Sequence, residues 1–363
     1  MAKKFIIAGG GTGGHIFPAI AIANAIKDIM PSAEFLFVGA KGKMEMEKVP
    51  KAGFAIIGLD IAGFDRSSLL KNTNLPFKLV WSFLQVINIF RKFKPDAVIG
   101  VGGYSSFPVL KYAQAHGINT FIHESNSFAG KANILLGKKA TKVFVATKGM
   151  ETFFPSNKIL ITGNPVRKSI AECTISRESA IAFFGLNPDK KTVLAVGGSL
   201  GAKSINEALL NGLNKFEQND IQLIWQTGKL GAAKYQEAAK ANTNIWINDF
   251  IQEMEYGYAA ADLVISRAGA MAVTEICVVG KPAILVPYPR AAEDHQTSNA
   301  LQLVNEEAAM IVTDSAANEN LVSKVIDLVL NDDELNVLTT NIKKRIILDA
   351  DQLIAKEILK MIQ

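Results

Sequence analysis

Cysteine is scarce in this chain of 363 residues: Cys173 and Cys277 stand far apart and outside any C-x-x-C, so neither a disulfide framework nor a thiolate zinc site is available. A reducing, cytoplasmic setting is expected. No run of 18 apolar, uncharged residues occurs, which excludes a spanning helix. The apolar stretch Phe5-Ile6-Ile7-Ala8 is too short for the h-region of a signal peptide and passes straight into glycine, so secretion is not expected. Short-period repeats and low-complexity tracts are missing. So are helix-turn-helix, zinc-finger and RNP-like patterns, and no nucleic-acid partner is expected.

What is present suits a globular protein of two domains. Hydrophobic residues make up 49% and charged residues 20%, enough to build a core in each half of a chain this long. Net charge is +5 but strongly polarised: residues 1–163 carry a net +11 and residues 164–363 a net −6. A cationic half suits nucleic acid, anionic lipid or a phosphorylated substrate, and composition does not choose among them.

Short β-rich runs alternate with helical stretches from Lys3 onward: Phe5–Ala8, Phe35–Val38, Phe54–Ile57, Ala97–Ile99, Thr120–Ile122, Val143–Val145 and Ile159–Ile161. The same grammar restarts after Asn187-Pro188, with Thr192–Val196, Gln222–Trp225, Ile245–Ile247, Leu263–Ile265, Ala283–Val286 and Met310–Val312. The expected fold class is α/β, with two Rossmann-like, doubly wound parallel sheets. The expected boundaries are 1–163 and 164–344, with a hinge near Thr162-Gly163-Asn164-Pro165 and a last helix within 345–363 packing back on the first domain.

One helix is unusual. Leu79 to Phe90 holds no charge, and its polar members Ser82, Gln85 and Asn88 are spaced by three. Its apolar face is wider than one sheet contact needs. Leu69, Leu70, Leu75 and Phe77 precede it, and Lys71, Lys78, Arg91, Lys92 and Lys94 flank it, a composition suited to an anionic membrane surface. Leu75, Phe77, Trp81 and Phe83 are the expected membrane contacts.

Three glycine turns follow strands. Gly9-Gly10-Gly11-Thr12-Gly13-Gly14 formally satisfies G-x-G-x-x-G, which lets amides at a helix N-terminus approach a phosphate. The second strand closes Val38-Gly39-Ala40-Lys41 without the acid that would hold a dinucleotide ribose, so NAD-dependent oxidoreduction is disfavoured. Gly100-Val101-Gly102-Gly103-Tyr104 and Gly197-Gly198-Ser199-Leu200-Gly201 are the other two, and together they imply two anion sites. His15 directly follows the first loop, supplying the side chain suited to proton transfer near neutral pH. Glu275 lies two turns into the helix after Arg267-Ala268-Gly269, where a carboxylate can accept from vicinal ribose hydroxyls. Asp294-His295-Gln296-Thr297-Ser298-Asn299 opens another polar helix within reach of the same ligand.

The set Gly10-Gly11-Thr12-Gly13-Gly14-His15-Ile16-Phe17-Pro18, Gly100-Val101-Gly102-Gly103-Tyr104, His123-Glu124-Ser125-Asn126, Gly163-Asn164-Pro165-Val166-Arg167, Gly197-Gly198-Ser199 and Arg267-Ala268-Gly269-Ala270 resembles the MurG family, the bacterial peptidoglycan N-acetylglucosaminyltransferases of GT-B fold. The resemblance runs from the first strand to the last helix in unchanged motif order. Ser125 and Leu200 stand where the family often has glutamine, and Ala272 where threonine is common.

The resemblance implies an inverting transfer of N-acetylglucosamine from UDP-GlcNAc to the muramyl 4-hydroxyl of lipid I, a pyrophosphoryl-polyprenol carrying a pentapeptide, at the cytoplasmic face of the inner membrane. It implies His15, then Glu124, as the base. Donor contacts are implied at Thr12, Gly13, Gly14, Asn126, Arg167, Ser199, Ile251, Ala270, Met271, Glu275, His295 and Gln296. Acceptor contacts are implied at Gly11, Thr12, Gly102, Gly103, Tyr104 and Asn126. Partners are UDP-GlcNAc, lipid I, an anionic membrane surface and other cell-wall synthesis and division proteins. No cofactor or metal is expected: Asp349-Ala350-Asp351 reads as a helix-start charge pair remote from every glycine loop rather than a metal-holding D-x-D. The competing readings are another GT-B enzyme, such as a diacylglycerol glycosyltransferase or a UDP-GlcNAc epimerase, and a nonenzymatic nucleotide-sugar sensor.

Overall fold

The computed structural model describes residues 2–63, 75–240 and 242–362. The apolar runs that end in glycine become buried strands: β1 Lys4–Ala8, β2 Glu34–Ala40, β3 Ala55–Leu59, β4 Ala97–Gly100, β5 Asn119–Glu124, β6 Lys142–Val145 and β7 Ile159–Ile161. They form one parallel sheet in the order β3-β2-β1-β4-β5-β6-β7. The helices of this unit include α1 Gly13–Ile29, α2 Glu45–Lys51, α3 Leu75–Phe93, α4 Ser106–Ala115 and α5 Lys131–Gly137. Side chains alternate across the sheet, so β1 sends Phe5 and Ile7 to one core with Ile16, Ile22 and Ile26, and Ile6 and Ala8 to another with Val86, Phe90 and Leu110.

The second unit repeats the plan with β8 Thr192–Val196, β9 Gln222–Gln226, β10 Ile245–Asn248, β11 Leu263–Ser266, β12 Ala283–Leu285 and β13 Met310–Ile311. Its parallel order is β10-β9-β8-β11-β12-β13. The α/β reading of the sequence is borne out, strand for strand. In each sheet the order reverses beside the first strand, at β1/β4 and at β8/β11, the point where open α/β sheets take ligands. Every glycine turn named above leaves one of those strands.

The units divide after Val166 and after Ile346, about three and two residues beyond the expected boundaries. Side-chain anchorage explains the offset. Asn164 Nδ2 donates to Ser125 O at 3.0 Å, which ties the turn at 163–165 to the first unit. Arg345 pairs with Glu306 at 3.0 Å and donates to Gln302 O at 2.9 Å, which keeps it in the second. The C-terminal helix, Ala350–Met361, belongs to the first unit and buries Ile354, Ala355 and Ile358 in the core shared with α1.

α3 turns Ser82, Val86, Ile89 and Phe90 inward and leaves Phe77, Val80, Trp81 and Leu84 between 53% and 76% exposed. Spacings of three, four and seven make the latter a single outward stripe. Of the expected membrane contacts, Phe77 and Trp81 lie on it, while Leu75 and Phe83 are half-buried. Leu69, Leu70 and Lys71 lie outside the described residues. No helix among the described residues is long and apolar enough to cross a membrane.

Candidate active site

In the first unit the loops after β1 and β4 interlock. A Cβ on Gly9 would stand 2.6 Å from Gly102 O, and one on Gly103 would stand 2.6 Å from Gly10 O, so neither position admits a side chain. The inner amides of the first loop are used within the fold: Gly9 N–H donates to Val38 O, Gly10 N–H to Gly102 O and Gly11 N–H to the Glu45 carboxylate. The N–H groups of Thr12, Gly13 and Gly14, at the start of the 17-residue α1, donate to nothing among the described residues. They form a cluster of donors at the positive end of a helix, a ready anion cradle.

His15 rises from that cradle. Its Nδ1 lies 2.9 Å from Gly10 O, and a carbonyl only accepts, so Nδ1 carries the proton. Nε2 is then left with its lone pair, packed beside Gly102, where a Cβ would come within 2.8 Å of it. This is the tautomer a general base needs. Pro18 in α1 cannot donate to Gly14 O, and the Ser125 hydroxyl donates there instead at 3.4 Å.

Glu124, at the end of β5, is buried at 3% exposure. One carboxylate oxygen accepts from Asn126 N–H and Nδ2, and the other from Gly130 N–H and Asn133 Nδ2, all between 2.8 and 3.2 Å. Four donors occupy its two oxygens. It orients the turn that carries Asn126 and starts α5. Beside it His123 is wholly buried, and burial pushes its imidazole down to about 4. Tyr104 is half-buried, and burial followed by the Glu45 charge raises its phenol, which therefore stays neutral.

In the second unit the loop 197–201 packs backbone to backbone on residues 227–228, where a Cβ on Gly201 would stand 2.1 Å from Thr227 O. Asn206 Nδ2 holds that carbonyl at 2.8 Å, and Trp225 Nε1 orients Asn206 from the core at 3.0 Å. Ser199 is exposed at the turn. The helix Ala270–Val279 begins beside it in topology, with the N–H groups of Ala270 and Met271 at its open end. Arg267 is a fixed hub: Nη1 donates to Val286 O at 3.0 Å and to Asp314 at 2.5 Å, and Nη2 to Ser204 Oγ at 3.1 Å.

Arg167 and Glu275, 108 residues apart, meet: Nε and Nη2 donate to Glu275 Oε1 at 3.2 and 2.9 Å. The buried Tyr258 hydroxyl donates to Oε2 at 3.1 Å. Tyr258 was not signalled by any motif, and burial with the Glu275 charge drives its phenol well above the usual range. Ile251 N–H is taken by Gln226 Oε1 at 3.0 Å. Gln296 Oε1 accepts from Tyr288 N–H at 2.9 Å, and His295 begins the helix His295–Val304. The described residues contain no group of three or more His, Cys, Asp or Glu side chains placed to hold a metal.

Two Rossmann-like units, each with a glycine turn at its sheet's switch point, make up a GT-B fold. The glycosyltransferase family 28 N-terminal domain matches residues 5–145 and the family 28 C-terminal domain residues 192–357. A relative from Bacteroides fragilis, the UDP-N-acetylglucosamine--N-acetylmuramyl-(pentapeptide) pyrophosphoryl-undecaprenol N-acetylglucosamine transferase, is 52% identical over 100% of this chain and 96% of its own. The transferase of the same name from Phocaeicola vulgatus is 53% identical over 99% of this chain and 96% of its own. The crystal structure of Acinetobacter baumannii MurG superposes with a TM-score of 0.82 at 29% identity, covering 99% of this chain and 100% of that one. The chain belongs to this family of N-acetylglucosamine transferases, the MurG family, as its motifs anticipated.

Proposed function

We propose that the chain transfers N-acetylglucosamine from UDP-GlcNAc to the muramyl 4-hydroxyl of lipid I with inversion, making lipid II. The observation that carries the assignment of roles is the separation of two anion cradles, one per unit, each at a switch point. We assign the open amides of Thr12, Gly13 and Gly14 to the acceptor pyrophosphate, with Tyr104 and Asn126 on the same side, although the resemblance alone gave Gly13 and Gly14 to the donor. Ser199 and the helix-end amides of Ala270 and Met271 hold the UDP diphosphate. A carboxylate offers about four lone-pair sites. Three donors already occupy Glu275. One site on Oε2 remains for a ribose hydroxyl. With its N–H used, Ile251 offers its carbonyl to uracil N3–H, and Gln296 and His295 face the sugar.

The acceptor oxygen attacks the anomeric carbon as the bond from that carbon to the UDP oxygen breaks. The hydroxyl proton passes to His15 Nε2, and the bonding pair leaves on the diphosphate. The transition state is oxocarbenium-like, and charge growing on UDP is met by the helix-end donors and by Arg167, whose Nη1 is not used on Glu275. We assign Glu124 to holding the Asn126 turn. These donors carry the leaving-group charge in our reading, so chelation should leave UDP affinity unchanged.

The stripe Phe77, Val80, Trp81 and Leu84 docks on an anionic leaflet, with Arg91 and Lys92 a turn or two beyond at headgroup level. Burying four half-exposed large side chains supplies on the order of 5 kcal/mol before ordering costs. Full-length enzyme with labelled UDP-GlcNAc and a short-chain lipid I analogue should yield a labelled disaccharide-lipid. Labelled product on diacylglycerol alone, or epimerised donor alone, would overturn the assignment.

A further inference from the structure

We infer that Glu45 is a positioning residue that fixes which amides of the first glycine loop face the acceptor diphosphate; the inference rests on the acceptor reading of Thr12, Gly13 and Gly14. Glu45 opens α2 and is 1% exposed. Its Oε2 accepts from Gly11 N–H and its Oε1 from Ala40 N–H, both at 2.9 Å. It makes no ion pair with any described residue, so two backbone amides, one from the loop after β1 and one from the end of β2, stabilise a carboxylate that burial would otherwise penalise.

The chain makes room for this carboxylate at two glycines. A Cβ on Gly10 would stand 2.3 Å from Glu45 Cδ, and one on Gly39 would stand 2.5 Å from Cγ. Gly39 lies on β2, behind the loop, and its φ is not in the left-handed region, so the contact with Glu45 is what keeps a side chain from that position. By capturing Gly11, Glu45 ends the inward-facing part of the loop there and makes Thr12 the first outward donor. Its carboxyl also fills the space that a side chain at position 10 would take, and the Gly10 carbonyl takes the Nδ1 proton of His15. One buried carboxylate thus sets both the cradle and the orientation of the base.

The test uses full-length enzyme and the short-chain lipid I analogue. Glu45→Gln keeps the volume but sets an NH2 group against one of the two N–H donors. It should raise the acceptor KM about tenfold and lower kcat, while UDP affinity stays within about twofold. Gly39→Ala touches no ligand and should reproduce that signature by displacing Glu45. Gly39→Ala added to Glu45→Ala should cost no more than Glu45→Ala alone, because their effects share one contact. Wild-type acceptor kinetics in a folded Glu45→Gln, or additive losses in the double variant, would overturn the inference. Gly39→Ala also serves if Glu45→Gln does not fold, and wild-type acceptor kinetics there would overturn it equally. Gly13→Pro removes one outward amide at a first-turn position whose preceding residue, Thr12, is already extended. Unchanged acceptor KM in Gly13→Pro would defeat the acceptor reading itself and Glu45's role with it. A rise there without one in Glu45→Gln would defeat only the latter.

Discussion

The glycine loops after β1 and β8 occupy the same topological position in their sheets and are fastened in opposite ways. Behind the first stands a buried carboxylate, Glu45, which draws Gly11 N–H inward. Behind the second stands neutral packing through Thr227 and Asn206, with the Arg267 guanidinium bracing the neighbouring strand ends. The fold supplies the location, and the side chain behind each loop decides which amides stay open to a ligand. A glycine pattern therefore marks where an anion binds but not which of its N–H groups does the binding.

The largest effect that separates the loops is chemical. His15→Ala removes the base we assign to the first cradle, and turnover should fall roughly 10²–10⁴-fold with UDP affinity retained. Near-normal turnover would remove His15 from proton transfer. Acid stability should separate the units next. His123 in the first unit is held down to about 4 by burial. The unfolded chain, with an ordinary imidazole near 6.5, takes up its proton first. Stability is therefore full above about pH 6.5 and falls as pH drops toward 4, by about 3 kcal/mol in all. Urea unfolding at stepped pH should show this slope in the wild type and lose most of it in His123→Gln; an unchanged slope would assign acid lability to other groups.

Smaller effects sharpen the donor side. Glu275→Ala should weaken UDP roughly 10–100-fold, because a charged acceptor is lost and Arg167 is left without its partner. Calorimetry of UDP binding reads this directly, and unchanged affinity would take Glu275 out of the site. Tyr258→Phe removes one of the hydrogen bonds that orient Glu275 and should cost about fivefold in the same measurement. On the membrane side, Trp81→Asp with Phe77→Asp should abolish flotation on phosphatidylglycerol vesicles without changing the unfolding midpoint.

Local signals made the strands, the switch-point loops and the family legible: apolar runs of strand length, glycine at their ends and one imidazole after the first turn. The Arg167–Glu275 pair was legible as two members of one site, though not as mutual partners. Glu45 was illegible because its partner Gly11 lies 34 residues away, and an acid at a helix start reads as an ordinary surface charge until its burial is known. Glu124 was the second candidate base through the family resemblance, and the four donors on its carboxylate come from Asn126, Gly130 and Asn133, contacts that a motif does not display. Tyr258 sat within an apolar helix whose buried face hides a hydroxyl aimed at Glu275. The α3 helix showed excess apolar surface, but only its packing distinguished the outward Val80 and Leu84 from the half-buried Leu75 and Phe83.

The division of labour between the loops is tested most directly by crossed steady-state kinetics, measuring KM for UDP-GlcNAc and for the lipid I analogue in Glu45→Gln and in Glu275→Ala. The first variant should raise only the acceptor KM and the second only the donor KM. Both constants rising together in either variant, or the two effects exchanged, would contradict it.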